Sequence, residues 1–117
     1  MPDEPSAEQK LFQSFAEEAH RRCATISSTL AMIEMGQGPA SGLAELKIEA
    51  HTLKGTAAVL GLTEVSEQAA RLEQILVEAG SAEALGPAVA AAIQEATAAI
   101  EDGARAAADS DDQELGA

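Results

Sequence analysis

The sequence predicts an all-α fold, an up-down-up-down antiparallel four-helix bundle, on three observations. Four segments repeat apolar residues every three or four positions, and the breaks between them are short and built from Gly, Pro and Ser. Aromatic residues are almost absent, with two Phe and no Trp or Tyr, whereas Ala and Leu abound. That composition favours helix and gives little support to a sheet. Four helices that each carry one apolar stripe can hide those stripes only against one another.

Residues 1–5 (MPDEP) read as a flexible lead. Ser6 and Gln9 have the spacing of a capping box and open a first helix over about 7–35. Its stripe is Phe12, Phe15, Ala19, Ile26, Leu30 and Ile33, and Gly36, Gly38 and Pro39 end it. Ser41 is placed to cap a second helix over about 42–59, whose seam is Leu43, Leu46, Ala50, Leu53, Ala57 and Leu60. Gly61 supplies a left-handed stop. Thr63 then caps a third helix with seam Leu62, Val65, Ala69, Leu72, Leu76 and Ala79, closed by Gly80. The last helix starts near Ser81 or Pro87 and buries Leu85, Val89, Ala92, Ile93, Ala96 and Ile100. From Gly103 onward the chain is small and acidic and reads as a frayed end. The domain division is thus a bundle over 1–105 and an acidic flexible tail or start of a linker over 106–117.

A chain of 117 residues fits one domain. Its formal net charge of −13 repels nucleic acid and anionic lipid, so neither is expected as a partner. No apolar run approaches the length of a membrane span, and no export signal opens the chain. One cysteine, Cys23, has no partner for an internal disulfide, which suits a reducing cytoplasm. His20 and Cys23 stand at i, i+3, but two ligands do not make a metal site. No Gly-rich loop with a following Lys-Ser/Thr is present, so no nucleotide cofactor is expected in this domain.

His51 carries the chemistry. It follows the seam residue Ala50, which puts it at the seam edge, about 100° round the helix. Lys54 at i+3 and Lys47 at i−4 lie on the same side, and Gly55 at i+4 presents no side chain. Neutral imidazole is nucleophilic near neutral pH, and a phosphoryl group on it carries nearly two negative charges. Lys54 can stabilise that charge; a unit pair at ~4 Å is worth up to about 4 kcal/mol at an effective dielectric of 20. A glycine inside a helix costs roughly 1 kcal/mol against Ala, so Gly55 needs a reason. Clearance for a phosphoryl group is one, and close helix packing is the other.

The stretch AHTLKGTAAVLG, residues 50–61, resembles the histidine phosphotransfer (HPt) signature, H-x-x-K-G followed six residues later by Gly. His51, Lys54, Gly55 and Gly61 match it, and Leu72 and Glu73 extend the match into the third helix. The chain is most similar to the amino-terminal phosphotransfer domain of CheA-type chemotaxis histidine kinases. The resemblance implies that His51 is the phosphoacceptor, assisted by Lys54, Gly55 and Glu73, with Lys47 and Gly61 as secondary candidates. A glutamate at the place of Glu73 accepts a hydrogen bond from the histidine in that group. Those kinases commonly carry a second histidine where this chain has Ala70. The implied partners are a kinase ATP-binding domain, which holds the ATP separately, and a response-regulator receiver domain whose aspartate takes the phosphoryl group. A stand-alone relay carrier between two receivers and a non-catalytic helical adaptor are the alternatives.

Overall fold

The computed structural model describes residues 4–116, with side chains through Asp109. Four helices form: α1 (Ala7–Glu34), α2 (Gly42–Val59), α3 (Thr63–Ala79) and α4 (Pro87–Gly116), with a 3₁₀ turn at Ala82–Ala84 before α4. No strand occurs among the described residues. Each helix packs chiefly on two neighbours, in the cyclic order α1–α2–α3–α4. Cross-seam pairs fix the directions. Lys54 meets Ser66 and His51 meets Glu73, so α2 and α3 run antiparallel. His20 meets Glu101 and Cys23 meets Thr97, so α1 and α4 do likewise.

The core follows the seams. Ile26, Leu30, Leu46, Leu53, Leu72, Leu76, Ile93 and Ile100 are fully buried, and Ala19, Ala50, Ala57 and Ala69 let the helices approach between them. Phe12, Ile33, Leu43, Leu60, Leu62, Ala79, Val89 and Ala92 are only half-buried at the seam margins. On α4 the inward face includes Ala90 and Thr97, which the spacing rule passed over.

Helix ends show where local chemistry decides. Ser6 has extended backbone and its Oγ accepts the Gln9 amide at 3.0 Å. The ends of α1 and α2 are alike: Gly36 (φ 71°) and Gly61 (φ 75°) follow the last helical turn in left-handed conformation. The Gly61 amide donates to Ala58 O and the Leu62 amide to Ala57 O, a Schellman closure that turns the chain straight into α3.

Three expectations need correction. Ser41 makes no side-chain cap, because its backbone (φ −88°, ψ 5°) is not extended; its Oγ donates to Glu45 Oε2 at 2.7 Å instead. Thr63 is the first residue of α3 rather than its cap, since the closure at Gly61 already uses Leu62 as the boundary residue. Helix α4 does not end at Gly103. It begins at Pro87 and runs to Gly116, with Ala104 and Ala108 buried at the same three-to-four spacing. Gly103 is there for packing, because a Cβ on it would stand 2.8 Å from Val65 Cγ2. The segment read as a tail over 106–117 is therefore helical as far as Gly116. Residues 1–3 of the lead, and Ala117, lie outside the described residues.

Candidate functional site

The seam of α2 places the histidine. Leu46, Ala50, Leu53 and Ala57 are buried, and His51, one position past Ala50, emerges at the edge with its side chain 68% exposed. Glu73 follows Leu72 on α3 in the same way and is 23% exposed. The antiparallel register sets the two opposite each other, and His51 Nδ1 lies 2.8 Å from Glu73 Oε2. An ionised carboxylate can only accept, so Nδ1 carries the proton. The Nε2 lone pair is then left for chemistry on the exposed side of the ring.

Lys54 sits one turn further along α2, and its Nζ donates to Glu73 Oε1 at 2.5 Å. Glu73 thus has a partner on each oxygen. The Lys54 ammonium, reinforced by His51 and opposed by partial burial, holds the Glu73 carboxyl below its ordinary value. The cation expected beside the histidine is therefore engaged by a carboxylate rather than standing free. Lys47 is half-buried one turn before His51 and pairs with no carboxylate among the described residues.

Gly55 is exposed, and a Cβ built on it meets nothing within 4 Å. No helix packs on it, so the packing explanation fails, and open space remains one turn past His51. Gly61 lies in the turn and serves the Schellman closure, away from His51. Ala70, half-buried, precedes Glu73 by one turn on α3.

Several contributors escaped the sequence reading. Ser66 Oγ donates to the backbone carbonyl of Lys54 at 3.1 Å, tying α3 to the turn of α2 that carries Lys54 and Gly55. Nothing in its spacing marks it, because the partner is backbone on another helix. On the opposite flank of α2, Arg22 Nη1 donates to Glu49 Oε1 at 2.6 Å and Nη2 to Glu18 Oε1 at 2.9 Å. Those two carboxylates raise the Arg22 guanidinium above its ordinary value and pin α1 to α2. The open face of α2 also carries Ile48 and Val59, which are 63% and 86% exposed, with Gly55 and Ala58 between them and Ala44 one turn before Ile48. By helical geometry this apolar strip runs past His51.

Among the described residues no group of three His, Cys, Asp or Glu side chains is arranged to hold a metal ion. Cys23 is buried with Sγ directed at Thr97 O, while His20 points to Glu101 on the surface, so the two do not converge. No helix of the described residues is long and apolar enough to cross a membrane.

The family model for the Hpt domain matches residues 10–103, which takes in α2 and α3 and most of α1 and reaches into α4, and the chain belongs to that family. Comparison with curated proteins and with solved structures returned no match. Membership assigns the domain to histidine phosphotransfer in two-component signalling, where such domains meet response-regulator receiver domains and kinases.

Proposed function

We propose that His51 is the phosphoacceptor, and that the domain receives a phosphoryl group there and hands it to a receiver-domain aspartate. One observation carries the reading: an exposed imidazole whose Nδ1 is held by Glu73, beside an unfilled notch at Gly55. In the accepting step the Nε2 lone pair attacks phosphorus. The N–P bond forms as the P–O bond to the donor breaks, and the departing oxygen keeps its electron pair. The ring becomes an imidazolium whose Nδ1 proton stays in the hydrogen bond to Glu73. The reverse step, with a receiver carboxylate as nucleophile, releases neutral imidazole.

Lys54 is the residue that meets the phosphoryl charge. A phosphoryl dianion on His51 competes with Glu73 for its Nζ, and one turn of helix separates the two side chains. Lys47 is a second cation on that flank. Gly55 admits the receiver's active site, and the strip of Ile48 and Val59 supplies the apolar centre of a small transient interface.

The kinase setting is a chemotaxis type, with ATP bound by a separate domain and the reaction in the cytoplasm. The His51–Glu73 pairing supports it, being the contact that the resemblance to chemotaxis kinases implies. Ala70, in place of their second histidine, favours the other reading, a stand-alone carrier between two receivers.

The test is transfer of radiolabelled phosphate from a phosphorylated receiver domain, or from a kinase ATP-binding domain with ATP. Wild type is expected to take up label that is labile in acid and stable in base, as for phosphorus on nitrogen. His51→Gln is expected to stay folded and take up none from either donor. Normal labelling of that variant, or an acid-stable adduct such as one on Thr52 or Thr56, would overturn the assignment.

A further inference from the structure

A second exposed histidine, on the opposite side of the bundle, is built like the first. His20 on α1 is 73% exposed, and its Nδ1 lies 2.6 Å from Glu101 Oε1 on α4. The carboxylate fixes the Nδ1–H tautomer here too, leaving the Nε2 lone pair free. His20 lines a groove of about 450 Å³ with Ala16, Glu17, Arg21, Glu101 and Arg105. Ala16 and Ala24, one turn before and after the histidine, are too short to crowd its ring. Arg105 makes only a long, exposed contact to Asp102 at 3.6 Å, worth little in water. Its guanidinium and that of Arg21 are thus available to the oxygens of a phosphoryl group.

One feature of the His51 side is missing. The large exposed apolar side chains of the described residues are Leu11, Met32, Met35, Ile48, Val59 and Val77, and none lines this groove. Its rim is charged instead. No large apolar side chain stands out there for a receiver domain to dock on, whereas a small anionic donor needs only the nucleophile and the two arginines, which balance the carboxylates of Glu17 and Glu101.

We propose that His20 is a second phosphoryl-accepting histidine, loaded by small phosphoryl donors of the phosphoramidate or acyl phosphate class. The His20 Nε2 lone pair attacks phosphorus and the N–P bond forms. The P–N or P–O bond of the donor breaks, and ammonia or a carboxylate leaves with the bonding pair. The Nδ1 proton stays on the ring, held by Glu101, which acts as a positioning residue. The chemistry is that proposed for His51, which serves as the internal comparison.

Potassium phosphoramidate is the probe, and intact mass with ³¹P NMR is the readout. Wild type is expected to gain two phosphoryl groups, His51→Gln one, His20→Gln one, and the double variant none. Glu101→Gln is expected to slow loading of His20 by about tenfold, the loss of one nearby charge, while His51 loads at its usual rate. If His51→Gln gains none while His20→Gln gains one, His20 is not an acceptor and the reading of His51 stands. If His20→Gln gains none while His51→Gln gains one, the reading of His51 fails and that of His20 stands. Label on the double variant undiminished from wild type overturns both. Far-UV circular dichroism of each variant, and the His51 signal in the Glu101 variant, separate loss of acceptor from loss of fold.

Discussion

Replacing Glu73 with Gln removes one charge from the site and leaves its shape. Glu73 Oε2 is 2.8 Å from His51 Nδ1, which puts the two charge centres ~4 Å apart when the ring is an imidazolium. Such a pair is worth about 1 kcal/mol in water and about 4 kcal/mol at an effective dielectric of 20. With its side chain 68% exposed, His51 sits toward the aqueous limit. Lys54 shares the same carboxylate, which lowers the field at the ring further. The loss is then about 1–2 kcal/mol of stabilisation as the positive ring forms, a fall in rate of about fivefold to thirtyfold. Rapid-quench measurement of transfer from a labelled phospho-receiver reads the rate, and circular dichroism confirms the fold. An unchanged rate in the folded variant would refute the orienting role, because the hydrogen bond would then do nothing for the reacting ring. Complete loss of labelling would refute it from the other side, since a group that only orients and polarises the ring is not required for attack.

Lys54 and His51 hold the Glu73 carboxyl below its ordinary value. Its folded value lies below the ordinary 4.5, so its contribution to stability is complete above 4.5 and is lost as the pH falls through the folded value. Glu73→Gln is expected to lose less stability than wild type across that acid window, and in Lys54→Met the side-chain ¹³C titration of Glu73 is expected to move up toward 4.5. Two helical glycines are expected to respond oppositely in thermal melts. Gly55→Ala, entering open space, gains about 1 kcal/mol and several degrees in Tm. Gly103→Ala, meeting Val65 Cγ2 at 2.8 Å, loses stability, since about 1–3 kcal/mol of overpacking outweighs the gain in propensity. Gly55→Leu is expected to fold and block transfer; normal transfer would mean the notch is not used. Burial pushes the Cys23 thiol up to about 12, so a disulfide reagent at pH 8 is expected to leave it unmodified in the native protein and to react in denaturant.

Apolar spacing alone sets out the four helices, most of their ends, and the seam-edge positions of His51 and Glu73. Those properties are local: apolar spacing repeats within each segment, and the left-handed glycines at 36 and 61 act on their own turns. Which side chains meet across a seam was not local. His51 and Glu73, Lys54 and Ser66, and His20 and Glu101 lie on different helices, and only the antiparallel register brings each pair together. The family resemblance paired His51 with Glu73, but neither it nor the spacing placed Lys54 on the same carboxylate. The two glycines make the division plainest. Gly55 and Gly103 both interrupt a helical pattern, and propensity treats them alike. Tertiary structure put solvent over the first and Val65 against the second, so one is a notch and the other a packing contact. A missing side chain has meaning only through what stands opposite it, and that is set by how the helices pack.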